Sequence, residues 1–401
     1  MLFRTVALTT LAVAMSFTSQ AQTPRTNRRP PARPAPAAPA STTADSTQAT
    51  APINITAADM ALFIEGLGLA PEARNRLAAD AQERKEFARD IRRMLAAAEE
   101  AKAGGYLSRP ELKLQTELAR AFVLAQAYFK QREQSGVTNP DQIITTAEVD
   151  AFFNEPATNA QFEAFVQDYS KNSKLQGAPV PEETRKSLRE NYGRVMVGMR
   201  KSITAGLDRE RATQLMVMLQ QAKLLGAAYM QETRARYQPT AVEIDTYITA
   251  HPEYDTKAER AKIEAILTRV RAGEDFVKLA NEFTEDPSGK GNGGDLGWFG
   301  RGAMVKPFED AAFSLKPGEV SGVVETAFGF HILKLDERRA QAAGEEVHAR
   351  HILIKYKTAS SPVLPRDKAK AAVEEEKRNR ALDEAATRRQ IQVAEEYVIN
   401  K

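Results

Sequence analysis

From Thr56 to about Tyr237 apolar residues return every three to four positions, as in Leu114, Leu118, Phe122, Ala125 and Phe129. That is the period of a helix with one buried face, so the stretch predicts a helical domain. Its helix starts carry a hydroxyl and a carboxyl three residues apart, which can satisfy the unpaired N–H groups of a first turn. The pairs are Ser108 with Glu111, Thr145 with Glu148, Thr240 with Glu243 and, more loosely, Thr56 with Asp59. The segments Thr56–Phe63, Thr145–Phe152 and Thr240–Tyr247 are alike. Their spacing is too irregular for a solenoid and reads as reuse of one short helix signal.

After His251 the pattern changes. Asp255–Ala272 predicts a helix with Ile263, Ile266, Leu267 and Val270 on one face, Gly273 ends it, and Asp275–Phe283 predicts a second. A glycine-rich run from Ser288 to Met304 follows, then a helix around Phe308–Phe313 and alternating, strand-like positions from Val323 to Leu335. Arg366–Val398 is charged and helical, with only a partial stripe of Leu382, Ala386, Ile391 and Val393.

The N-terminus carries an address. Arg4 precedes a short apolar run, Val6–Met15, and Ser19-Gln20-Ala21 places small residues where a signal peptidase reads. The run is short for a membrane span, so residues 1–21 are expected to be a signal peptide and the mature chain periplasmic or secreted, with no transmembrane segment. Residues 22–55 are rich in Pro and Ala and read as a linker, its arginines solvated or touching an anionic surface.

Composition narrows the chemistry. The 401 residues include no cysteine, which excludes disulfides, thiolate metal sites and cysteine nucleophiles. Fifty-six basic residues against 53 acidic ones leave a formal charge of +3, too little for a dedicated nucleic-acid binder. Gly289–Gly294 has the spacing of a dinucleotide fingerprint, but a helix precedes it and none follows at once, so backbone approach to a bound peptide is the preferred reading. Met196, Met199, Met216, Met218 and Met230 suit either an adaptable surface for apolar segments or ordinary core filling.

Several runs occur in one order over about eighty residues: Ala272-Gly-Glu-Asp-Phe276, Glu285-Asp-Pro-Ser288, Gly293-Gly-Asp-Leu-Gly-Trp-Phe-Gly-Arg-Gly302, Ala311-Ala-Phe-Ser-Leu-Lys-Pro-Gly-Glu-Val320 and Phe328-Gly-Phe-His-Ile-Leu-Lys334. In these the chain resembles the parvulin (PpiC-like) family of peptidyl-prolyl cis-trans isomerases. With the export signal and the helical half, the whole chain resembles a periplasmic foldase of the SurA and PrsA type. The resemblance implies an α+β chain. A helical chaperone-like domain would occupy 56–240 and a parvulin (FKBP-like) domain with a four-stranded antiparallel sheet 241–357. A C-terminal helix in 358–401 would pack on the helical domain.

It also implies site residues. His331, His351 and Asp286 would be catalytic, and Leu296, Met304, Phe308, Thr326 and Phe328 would bind substrate, with neither metal nor cofactor; Trp298, two residues from Leu296 on an expected strand, reads either as a substrate-binding wall of the peptide groove or as packing beneath the glycine loop. The partners implied are unfolded or extended proline-containing polypeptides, outer-membrane or secreted proteins among them. A binding-only holdase with an inactive parvulin domain is the alternative.

One departure matters. The family's first strand, bearing His-Ile-Leu, belongs ahead of the first helix, where Asp245–Ala258 offers only helix and turn. The missing motif stands later, in Val347–Lys355. A hairpin through Asp336–Glu346 could bring it antiparallel to the last strand, giving a circularly permuted domain; a truncated second repeat starting at Val347 is the competing reading. Side chains alternate along a strand, so in the permuted sheet His331 and His351 can lie side by side, whereas His348 points the other way.

Overall fold

The computed structural model describes residues 52–342, 344–357 and 363–399. The expected signal peptide and nearly all of the expected linker lie outside the described residues. The described residues divide into two compact units, one holding those up to Ala235 together with those from Asn379 onward, the other those within Arg236–Arg378.

In the first unit, α1 (Ala57–Leu67) follows a short strand, β1 (Ile53–Ile55). Next come α2 (Pro71–Ala79), α3 (Ala81–Ala103), α4 (Pro110–Gln134), α5 (Pro140–Ile143), α6 (Thr146–Phe153), α7 (Pro156–Asn172), α8 (Glu182–Thr204) and α9 (Arg211–Thr233). Thr56 and Thr145 close full capping boxes with Asp59 and Glu148. The Ser108–Glu111 box does not form. Pro110 occupies the first helical position, which makes Arg109 the cap and leaves Ser108 in a 3₁₀ turn.

What looked like a reused helix signal is a duplicated fold. Helices α3 and α8 are both 23 residues long. Each is followed by a left-handed glycine (Gly105, φ 74°; Gly206, φ 76°), one 3₁₀ turn (Tyr106–Ser108; Leu207–Arg209) and a second long helix. The copies interlock. One core joins Met60 and Phe63 of α1 and Leu95 of α3 to Leu215 and Leu219 of α9. The other joins Phe152 of α6 and Leu188 and Tyr192 of α8 to Leu118 and Phe129 of α4. Neither copy buries its apolar face alone, so the pair is the folding unit.

The C-terminal helix, α14, runs from Pro365 only to Arg388. After Gln390, at φ 53°, the chain forms β6 (Ile391–Val393) parallel to β1, and Ala386, Ile391 and Tyr397 enter the first core. The helix expected through Val398 is thus cut short. The triplet Ile391-Gln392-Val393, with two β-branched residues, can pair with Ile53–Ile55, and that gain outweighs another helical turn.

The second unit begins with α10 (Ala241–Ala250), capped by Thr240 and Glu243, then α11 (Lys257–Arg271) and α12 (Phe276–Phe283). It continues with β2 (Asp295–Gly300), α13 (Lys306–Ser314), β3 (Val324–Thr326), β4 (Gly329–Gln341) and β5 (Gly344–Lys355). The sheet is antiparallel with order β2-β5-β4-β3, so the C-terminal strand is a central one. One face, with Phe330, Ile332, Ile352 and Ile354, packs on Ile263, Ile266 and Leu279 of α11 and α12. The other, with Leu333, Leu335, Val347 and Ala349, packs on Phe308, Ala312 and Phe313 of α13.

The hairpin between β4 and β5 turns at its far end, next to Gln341 and Gly344, well beyond Asp336. The glycine-rich loop serves the chain's own strand. The amide of His351 donates to the carbonyl of Gly294 at 2.8 Å. A Cβ at Gly294, which sits at φ 73°, would fall 2.0 Å from the carbonyl oxygen of His351. Only glycine allows that approach.

Candidate active site

His331 on β4 and His351 on β5 share the sheet face that meets α13. The register pairs His331 with Leu353 and Leu333 with His351, which puts the two imidazoles on a diagonal. Their Nδ1 atoms are 3.3 Å apart and both residues are 4% exposed. The Phe308 ring of α13 stands roughly perpendicular to both, at centroid distances of 5.2 and 5.6 Å.

Asp286 comes from the turn after α12, and β5 holds that turn in place. Leu353 N–H donates to Thr284 Oγ1, Glu285 N–H to the carbonyl of Leu353, and Lys355 N–H to Glu285 Oε2. Asp286 Oδ1 accepts from the amide and hydroxyl of Ser288, at 3.0 and 2.9 Å, and Oδ2 lies 2.8 Å from His351 Nε2. On the far side His331 Nε2 lies 2.8 Å from Thr326 Oγ1, which also accepts the Phe328 amide at 3.1 Å.

These distances make one hydrogen-bonded chain, Asp286–His351–His331–Thr326, and its protons can be placed. Burial would push the Asp286 carboxyl up, but the two bonds from Ser288 and the contact with His351 outweigh it and hold it below the usual range. Burial pushes His331 down to about 3, with His351 adding to the shift, and burial lowers His351 as well despite Asp286 beside it. At neutral pH the carboxylate is therefore ionised and both rings neutral. His351 must donate from Nε2 to the carboxylate, so its Nδ1 accepts from His331 Nδ1–H. His331 Nε2 then accepts the Thr326 hydroxyl. The opposite tautomers would aim a ring lone pair at the carboxylate.

Of the residues expected at the site, His331, His351, Asp286, Thr326 and Phe308 are brought together, and Leu296 and Met304 pack against the cluster containing Phe308. Phe328, 49% exposed, stands beside Thr326, to which its amide is bonded. Trp298 is not part of the group. It pairs with His348 across β2 and β5, stacks on that ring at 5.5 Å, and carries the Arg339 guanidinium 4.1 Å from its centroid, while the adjacent Phe299 turns toward Phe308. Alternation along β2 thus sends Trp298 to the other face. Thr284 and Ser288, which position Asp286, were not anticipated; Asp286-Pro-Ser288 has the turn chemistry that could have marked Ser288.

Residues 232–339 match the family model described as a PPIC-type PPIase domain. This stretch is a PpiC-type domain. Similar proteins include the foldase protein PrsA of Geobacillus sp. (strain WCH70), 50% identical over 84 residues, 21% of this chain and 30% of the relative. PrsA of Geobacillus kaustophilus is 44% identical over 102 residues, 25% and 34% of the two chains. The chaperone SurA of Nitrosospira multiformis is 39% identical over 108 residues, 26% and 24%. The chain thus spans about a third or less of the length of each relative. The family match ends at residue 339, ahead of β5, so the PpiC-type domain here takes a central strand and one of its two paired histidines from beyond the matched stretch.

The buried histidines give a pH signature. Between about 3 and the ordinary 6.5, the unfolded chain binds a proton at His331 that the folded chain refuses, and His351 acts in the same direction. Stability therefore falls as pH drops below about 6.5, by up to about 1.4 kcal/mol per pH unit from His331, with His351 adding in the same direction. The lowered Asp286 adds a loss of the same sign at still lower pH. Urea melts of the second unit's transition between about pH 7 and about pH 5 should show this slope, and His331→Gln should flatten it. Equal slopes in the two chains would contradict the proton assignment.

Proposed function

We propose that the chain is an exported folding factor: a parvulin-type peptidyl-prolyl cis-trans isomerase whose helical unit holds unfolded or extended polypeptides, outer-membrane or secreted proteins among them. The observation that carries the enzymatic reading is the chain of hydrogen bonds from Asp286 to Thr326 beneath the Phe308 ring. The chain's resemblance to foldases and chaperones of the PrsA and SurA type, and the half-buried Met196, Met199, Met216, Met218 and Met230 of the helical unit, support the holding role.

The reaction breaks no bond. Amide resonance sets a barrier of roughly 18–20 kcal/mol, and an X–Pro bond left alone takes tens to hundreds of seconds to turn. Resonance makes the planar imide more dipolar than the twisted one. An apolar cup of Phe308, Met304 and Leu296 that takes the proline ring and strips water from the imide therefore disfavours the planar forms. The neutral imidazoles beneath it have their protons fixed by Asp286 and Thr326, so they present a set field to the twisting carbonyl without having to reorganise. Phe328 at the rim would contact the residues beside the proline. Cis-trans exchange of a proline peptide, followed by NMR with catalytic amounts of the chain, tests the enzymatic reading; an exchange rate unchanged by the chain would end it.

The holding role has its own test. A chain with His331→Ala and His351→Ala should still suppress aggregation of a denatured client in a saturable way, since the helical unit is untouched. Unchanged client aggregation at an excess of chain would remove the chaperone half of the proposal.

A further inference from the structure

The helical unit contains a cavity of about 220 Å³, open to solvent on one side, between α3, α4, α9 and the 3₁₀ turn Leu207–Arg209. Leu95, Leu124, Val217 and Met218 give it apolar walls. Four charged residues also line it: Glu99, Asp208, Lys102 and Arg120. Their placement is unequal. The Glu99 side chain is 7% exposed and meets Lys102 at 2.7 Å, and Asp208 Oδ1 is buried with no hydrogen-bond partner among the described residues. The Lys102 side chain is 39% exposed and Arg120 is exposed. Glu99 and the Oδ1 atom of the half-buried Asp208 thus lie inside, while the two cations are the more exposed groups.

The duplicated fold supplies an internal comparison. Counting from the matched starts of α3 and α8, the second copy has Arg200 for Glu99 and Ile203 for Lys102, and the first copy has Leu107 for Asp208. Leu107 and Ile203 are exposed apolar residues. The scaffold folds at these places without an acid, with Arg200 and Leu107 standing there instead, so the two carboxylates are peculiar to the cavity. An unpartnered carboxylate oxygen out of water is costly, and a cationic donor is the group that best relieves it.

We infer that this cavity receives the side chain of a lysine or arginine from an unfolded client, and the inference rests on the holding role proposed above. Cavities that enclose a whole small molecule run to roughly 300–1,000 Å³, so 220 Å³ suits one long side chain. The methylene stem lies along Leu95, Val217 and Met218, as long basic side chains do on apolar surface. The head group reaches Asp208 and Glu99. Arg120 at the exposed rim would attract an acidic side chain, but Glu99 and Asp208 further in repel one.

The test uses the full chain and a labelled, unstructured peptide carrying at one central position lysine, norleucine or glutamate, titrated by fluorescence anisotropy. The lysine peptide should bind about tenfold more tightly than the norleucine one, which keeps the stem and loses the charge. Asp208→Asn, of nearly the same shape, should remove most of that difference, and Asp208→Leu, the residue type of the matched position, should remove it without unfolding the helices by circular dichroism. Prolyl isomerisation should be unchanged in both variants. Equal binding of lysine and norleucine peptides, tighter binding of the glutamate peptide, or full lysine preference in Asp208→Asn would each overturn the inference. If the chain suppresses client aggregation while showing no lysine preference, the cavity assignment alone fails; if it does neither, the holding role fails with it.

Discussion

A chain ending at Arg339 should lose the sheet of the second unit and aggregate, whereas Arg236–Arg378 expressed alone should keep it. The shorter chain lacks β5, which lies between β2 and β4. With it go Val347, Ala349, Ile352, Leu353 and Ile354, each 4% exposed or less. At roughly 1.5–3 kcal/mol for each large buried aliphatic side chain, their loss approaches or exceeds the roughly 5–15 kcal/mol by which domains are stable. Two open strand edges would be left facing solvent, a template for pairing between chains. The turn bearing Asp286 would also come loose, since three of its hydrogen bonds end on Leu353 and Lys355. Far-ultraviolet circular dichroism and light scattering on the two fragments decide the matter. A soluble, folded chain ending at Arg339 would mean that residues 344–355 are a dispensable start of a second repeat.

His351→Ala should lower isomerase kcat/KM by about ten- to a hundredfold. The imidazole joins the Asp286 carboxylate to His331, at 2.8 and 3.3 Å. A hydrogen bond to an ion contributes about 1.5–3 kcal/mol, and if that loss falls on the transition state each 1.36 kcal/mol is about tenfold in rate. His331 would also be free to turn over to the other tautomer, which withdraws the fixed donor and acceptor pattern from the site. His331→Ala should do at least as much damage, because Thr326 then has no ring to donate to. Trp298→Ala is the control. It lies with His348 and Arg339, away from Phe308, and should leave kcat/KM within about twofold. A large effect at Trp298 with little at His351 would reverse the assignment of faces.

Much of the second unit was legible because its signals are local. A strand of fixed alternation puts His331 and His351 on one face once the pairing is chosen, and the absence of a strand before α11 forced that choice. Capping boxes at Thr145 and Thr240 were readable for the same reason: hydroxyl and carboxyl sit within one turn of each other. The duplication was hidden by its joints. In the first copy Asp80 alone separates α2 from α3, while residues 173–181 separate α7 from α8, so the two copies drift out of phase. β6 was missed because three residues are too few to show alternation and its partner, β1, lies over three hundred residues away. Ser108 misled because a proline two residues on decides where a helix can begin. The side taken by Trp298 depends on the irregular register between Asp295 and Trp298, where a left-handed Gly297 interrupts the pairing.

Refolding limited by proline isomerisation tests most directly whether this permuted PpiC-type domain turns prolyl bonds. The full chain in catalytic amounts should speed the slow phase of such a client, and the chain with His331→Ala and His351→Ala should leave that phase at its uncatalysed time of about 10–100 s while still binding the client. A slow phase unaltered by the unmodified chain, or accelerated equally by both chains, would contradict it.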